Sequence, residues 1–143
     1  MRIVVDTNIV FSALINAGNT IPEMIVAPFS DFKFFTSDFL FKELEKHKAK
    51  LQKTSKLTES EIARAKTELF KYIKTISLEL IPQEIWLVAE KLTLDIDPDD
   101  IPFVALSIFL DAHLWTGDKI LYVGLKKKGF NNVLLTPELK KMI

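Results

Sequence analysis

The sequence contains no cysteine. Disulfides, thiolate metal sites and cysteine nucleophiles are therefore excluded together, and the absence suits a reducing cytoplasm. Glycine is scarce at 4 residues and proline at 6, and no linker, repeat or low-complexity tract is visible. No apolar run reaches the length of a membrane span, because the longest, around residues 101–110, carries polar interruptions. The opening MRIVVDTN places a charge inside a very short apolar run, so no signal peptide is expected there. Charge of one sign is also missing: 19 Lys+Arg face 19 Asp+Glu. Global charge gives no support to a nucleic-acid partner.

What is present is apolar material and local charge. Residues of the AVILMFWYC set make up 48% of 143 residues, enough for one domain to bury a core without staples. Six lysines (42, 46, 48, 50, 53 and 56) stand against Glu43 and Glu45 between Lys42 and Lys56, and Lys126, Lys127 and Lys128 form a second basic group. Asp95, Asp97, Asp99 and Asp100 form an acidic run without a cation. Such runs are commonly solvated helix faces; lysines 46, 48, 50 and 53 could instead track a phosphate backbone.

Residues 2–6 read as a short buried strand, 8–17 and 20–28 as helices parted at Gly18-Asn19, and 32–36 as a second strand. Ser37 is placed to cap a lysine-rich helix over 38–53. Thr58 with Glu61 forms a capping-box signature for a helix through about 75. A short apolar segment at 77–81, a strand candidate, precedes a helix over 83–93 that Pro82 can start. Asp97-Pro98 opens an almost wholly apolar helix to about Asp111. Strands are expected at 113–116 and 132–135, with helices at 118–127 and 137–142. Alternating strands and helices predict an α/β class: a three-layer α/β/α sandwich around a central, mainly parallel sheet of four to five strands.

In such a sheet, sites form outside the carboxyl ends of the strands. Asp6 closes the first strand, Asp118 follows the 113–116 strand, and Glu43 lies early in the helix leaving the second strand. These three should converge on one cleft. Asp100 joins them only if its helix starts at the same edge. Two carboxylates about 4 Å apart repel by roughly 4 kcal/mol at an effective dielectric near 20, so protons, lysines or a cation must offset the convergence. With no Cys or His among these acids, the ion expected is Mg²⁺ or Mn²⁺, and metal-bridged carboxylates are an apparatus for phosphodiester cleavage.

These segments resemble the motifs of the PIN-domain nucleases, a family that includes toxins of toxin–antitoxin pairs. The first strand with Asp6-Thr7-Asn8 looks like the family's opening motif, and the run from Ser37 to Leu44 like its glutamate-bearing second motif. The segment from Asp100 to Leu106, followed by Leu114-Trp115-Thr116-Gly117-Asp118, resembles its last two acidic motifs. The resemblance spans nearly the whole chain. It implies an α/β/α domain, an RNA substrate, and Asp6, Glu43, Asp100 and Asp118 as catalytic metal-binding acids. Thr7, Asn8 and Thr116 would support them, and Asp99 is the alternative to Asp100. A cytoplasmic endoribonuclease with an antitoxin protein as partner follows from the family alone.

The single domain, 1–143, is expected to carry a helical insertion at about 54–93 serving as a clamp, a homodimer surface or a partner surface. Two other functions compete. A phosphotransfer enzyme using Asp6 as nucleophile would need a further acid two residues on, where Asn8 stands. A non-catalytic module that binds nucleic acid or protein would keep the fold without turnover. Trp115, Trp86 and most phenylalanines are expected in the core, Asp38 and Asp97 in structural roles, and His47 exposed.

Overall fold

The computed structural model describes residues 1–15, 20–26 and 31–143; the expected break at Gly18-Asn19 lies outside them. The chain opens with strand β1 (Arg2–Val5), whose Ile3, Val4 and Val5 are fully buried. An unbroken apolar run of this kind belongs to a strand covered on both faces. Helices α1 (Thr7–Ile15) and α2 (Ile21–Val26) lead to β2 (Lys33–Ser37). The lysine-rich stretch then forms two helices rather than one, α3 (Phe39–Lys46) and α4 (Lys48–Ser55). The break is at His47, whose φ of −105° and ψ of 17° leave the helical region. Ser37 does help to start α3, since its Oγ accepts from the Phe39 N–H at 3.2 Å.

Helix α5 (Glu59–Leu69) begins with the expected capping box: the Thr58 hydroxyl accepts from the Glu61 N–H, and the Glu61 carboxylate from the Thr58 N–H, each at 3.1 Å. It ends sooner than expected. Residues 73–76 form strand β3 (Ile73–Ile76), and the 77–81 segment holds a 3₁₀ turn at Leu78–Leu80. Four residues reading Ile-Lys-Thr-Ile favour a strand, and β2 supplies the partner, with Phe34 opposite Ile73 and Ser37 opposite Ile76. Asp38 is structural, its Oδ1 accepting from the Leu78 N–H at 3.3 Å.

Helix α6 (Gln83–Thr93) follows, then a 3₁₀ turn at Pro98–Asp100 that runs into α7 (Ile101–Phe109). Asp97 caps that turn as expected, its Oδ1 accepting from the Asp99 N–H at 3.0 Å. Strand β4 (His113–Trp115), α8 (Lys119–Lys127), β5 (Val133–Leu134) and α9 (Thr136–Met142) complete the chain. Trp115 is fully buried and donates from Nε1 to the Thr136 hydroxyl at 3.0 Å.

The five strands form one sheet in the order β3-β2-β1-β4-β5, every pair parallel. Right-handed crossovers send the helices before β3 to one face and those between β3 and β5 to the other. Contacts agree: α1 packs with α2, α3, α4 and α5, whereas α7 lies on β1, β2 and β4 and against α6. The result is a three-layer α/β/α domain. Among the described residues, no helix is long and apolar enough to cross a membrane.

Candidate active site

The strand order reverses between β1 and β4, so the loops after these strands diverge and leave a crevice at their carboxyl ends. Asp6 enters it from β1, and Thr116 and Asp118 from β4. Glu43 arrives on α3, whose parent strand β2 is β1's other neighbour. The 3₁₀ turn before α7 brings Asp100 to the same edge, which the crossover alone did not require. Asp6, Glu43, Asp100 and Asp118 all line one cleft of about 320 Å³.

Asp6 is 2% exposed, and a polar lattice fixes its carboxylate. Thr116 donates from its hydroxyl to Asp6 Oδ2 at 2.7 Å, the Thr7 N–H to Oδ1 at 2.6 Å, and Asn8 Nδ2 to Oδ2 at 3.1 Å. Asn8 in turn accepts from the Gly117 N–H at 2.8 Å, and the Thr116 hydroxyl accepts from the Asp118 N–H at 3.1 Å. Asn8 thus ties the β1 loop to the β4 loop. Thr7 reaches across to Glu43, its hydroxyl donating to Oε1 at 2.5 Å. Asp118 caps α8: its Oδ1 accepts from the Ile120 N–H at 2.9 Å and the Leu121 N–H at 3.1 Å.

Burial sets the electrostatics. Desolvation pushes the Asp6 carboxyl up to about 6; the Thr116 and Thr7 hydrogen bonds oppose the rise, and Glu43 and Asp118 add to it. Asp100 is pushed further, to about 8, first by burial and then by the charges of Asp6, Asp97, Asp118 and Glu43. Glu43 is raised by burial, with Asp99 and Asp97 adding to the rise and Thr7 and His47 opposing it. Asp100 Oδ2 is buried without a hydrogen-bond partner. A buried carboxylate oxygen in that state requires a proton or a cation.

These side chains share a cleft rather than a closed ligand shell. Among the described residues, no three acidic or imidazole groups are grouped tightly enough to hold an ion by themselves. The donor set nevertheless fits a hard divalent ion: oxygen ligands only, one of them buried and unsatisfied, in a cleft open to water. An ion such as Mg²⁺ keeps several waters and takes one or two carboxylates directly.

The acidic run from Asp95 divides. Asp95 pairs with Lys128, whose Nζ also donates to the Leu92 carbonyl at 3.0 Å. Asp97 both caps its turn and lines the cleft; Asp99 is outside the cleft lining but close enough to raise Glu43. The lysines divide too. Lys48 pairs with Glu59 at 2.5 Å, and of lysines 46, 48, 50 and 53 only Lys50 lines the cleft among the described residues. His47 and Phe11 line it as well. The available signal was helical spacing, since Glu43, His47 and Lys50 stand at i, i+4 and i+7.

No curated protein sequence matches the chain. Solved structures share its fold, two of them as follows. The crystal structure of VapBC2 from Rickettsia felis, bound to a DNA fragment from their promoter, contains a chain that superposes with a TM-score of 0.65 at 15% identity, over 94% of this chain and 97% of that one. The structure of VapBC-1 from nontypeable Haemophilus influenzae gives 0.62 at 18% identity, over 89% and 94%. The model of the PIN domain, a family whose members are generally nucleases, matches residues 4–138. With a match across nearly its whole length, the chain belongs to the PIN domain family.

Proposed function

We propose that the protein is a divalent-metal-dependent endoribonuclease, the toxin of a toxin–antitoxin pair, acting in the cytoplasm on RNA phosphodiester bonds. The observation that carries this reading is the buried, partnerless Oδ2 of Asp100 in a cleft shared with the buried Asp6. Acids gathered at such cost need a proton or a counter-charge, and a cation supplies the latter. Asp6, Glu43, Asp100 and Asp118 would hold Mg²⁺ or Mn²⁺. A bound ion supplies water activation and charge neutralisation at the phosphate and the leaving oxygen.

The chain's own groups position and tune. Thr116, Asn8 and the Thr7 N–H hold the Asp6 carboxylate in one orientation and favour its ionised form. The Thr7 hydroxyl holds Glu43 towards the cleft. Asp99 acts by charge on Glu43. Membership of the PIN domain family supports nuclease chemistry, and the likeness in fold to chains of two VapBC structures supports an antitoxin partner.

Purified protein with Mg²⁺ or Mn²⁺ is expected to cut RNA, and Asp6→Asn to abolish cutting while circular dichroism remains native. Cleavage by Asp6→Asn at the wild-type level would reject the assignment. Calorimetry showing no divalent-ion binding near neutral pH would point instead to a non-catalytic binding module.

A further inference from the structure

The cleft is acidic on nearly every side, yet its natural ligand on the reading above is a polyanion. Of the residues that line it, Lys50 is the one lysine or arginine among the described residues. It stands on α4, a further turn beyond His47, continuing the stripe that starts at Glu43. On the opposite wall, Phe11 stands one turn along α1 from Thr7 and packs on the core. Lys50 Nζ sits over the Phe11 ring, 5.8 Å from its centroid. A cation in that place is held by the ring's quadrupole without being neutralised.

Among the lysines from Lys42 to Lys56, Lys50 is set apart by lining the cleft and by its seat on Phe11. Lys48 is neutralised by Glu59, Lys71 by Glu68 and Lys128 by Asp95. Lys50 is in none of the ion pairs found among the described residues, although acids line the same cleft. Its seat on Phe11 holds the ammonium on α4, a separate helix from the α3 that carries Glu43. That is a position for a charge that meets the chain of phosphates beside the bond being cut.

We infer that Lys50, seated on Phe11, is a phosphate-binding residue that anchors the backbone of single-stranded RNA next to the scissile phosphate. The inference rests on the nuclease reading of the acidic cleft. The ammonium donates to a non-bridging phosphate oxygen and releases a condensed counterion. It takes no part in breaking the bond and carries no sequence preference. Its signature is therefore in binding and salt dependence rather than in kcat.

The test uses the full chain with Mn²⁺ and a short mixed-sequence single-stranded RNA. Lys50→Ala is expected to raise KM about tenfold with kcat little changed, a charge-assisted hydrogen bond being lost. The log–log slope of kcat/KM against salt should shrink by about 0.7, the value for one phosphate contact on a single strand. Lys50→Arg should restore both. Lys140→Ala removes a like charge from α9, none of whose residues lines the cleft, and should change neither. If the wild type cuts RNA but Lys50→Ala keeps its KM and its slope, the anchor is refuted and the nuclease stands. A fall in kcat with the slope intact refutes the anchor equally. Wild-type protein that does not cut RNA overturns the nuclease reading and the anchor with it.

Discussion

Replacing Asp100 by asparagine should stabilise the protein in the absence of divalent ions, and the gain should grow with pH. The Asp100 carboxyl is pushed from 3.8 to about 8, chiefly by burial. Between those values the folded state binds more protons than the unfolded chain. The stability this proton supports is therefore complete at low pH and is lost as pH rises towards about 8. From about pH 5 to about pH 8, three units at roughly 1.4 kcal/mol each amount to about 4 kcal/mol. Asp100 is only half-buried, so solvent screening reduces this to roughly 2 kcal/mol. For a chain of this length that corresponds to about 6 °C in Tm. Melting followed by circular dichroism in a chelator should show the lead of Asp100→Asn over the wild type widening by about 6 °C between pH 5 and pH 8. Asp6, raised to about 6, adds a loss of the same sign in both proteins. An Asp100→Asn protein that melts at or below the wild-type temperature near pH 8 would refute the argument that these acids repel one another in a desolvated cleft.

Divalent ions should reverse the same penalty. Mg²⁺ or Mn²⁺ at about a hundred times its dissociation constant should add about 2.7 kcal/mol to wild-type stability near pH 8, read as a rise in Tm that disappears in the Asp6→Asn, Asp100→Asn double variant. Thr116→Val removes the donor to Asp6 Oδ2 and the acceptor of the Asp118 N–H. It should cost about 2 kcal/mol in denaturant unfolding, and it should move the acid limb of the pH–rate profile to higher pH because a hydrogen bond that favoured ionised Asp6 is gone. An unmoved limb would count against Asp6 as the group whose ionisation activates the site.

Much of the site's frame was legible because it depends on local chemistry. The apolar run Ile3-Val4-Val5 ends at Asp6, and a proline after Asp97 starts a helix from a capped turn. Given parallel strands, residues at their carboxyl ends must share an edge. What sequence could not show depends on partners far along the chain. Ile73–Ile76 follows a helical stretch without a break signal, and its strand propensity is realised by pairing with β2. The acidic run looks uniform until Lys128, 33 residues away, takes Asp95, while Asp97 and Asp100 line the cleft. Lys50 is told apart from the lysines around it by tertiary placement, in the cleft lining and over Phe11 on another helix. Local signals fixed the position of most acids, and tertiary pairing decided which charges remained available.

The balance of charge in the cleft also bears on the proposed reading. Asp6, Glu43, Asp97, Asp100 and Asp118 face Lys50 and His47 there. Without a cation, a phosphate entering between the acids meets repulsion in a partly desolvated space, where each close pair costs several kcal/mol at an effective dielectric near 20. Lys50 alone cannot offset five carboxylates. Protonating Asp100 relieves part of the repulsion but leaves a neutral acid where charge neutralisation is needed. On that reading Asp6, Glu43, Asp100 and Asp118 would hold a cation that supplies the charge neutralisation a phosphate needs in this cleft, and Lys50 would orient the adjoining backbone. On the proposed reading, net neutrality of the whole chain is compatible with RNA binding because the attraction would be assembled locally, from an ion and one well-placed ammonium, rather than spread over a basic surface.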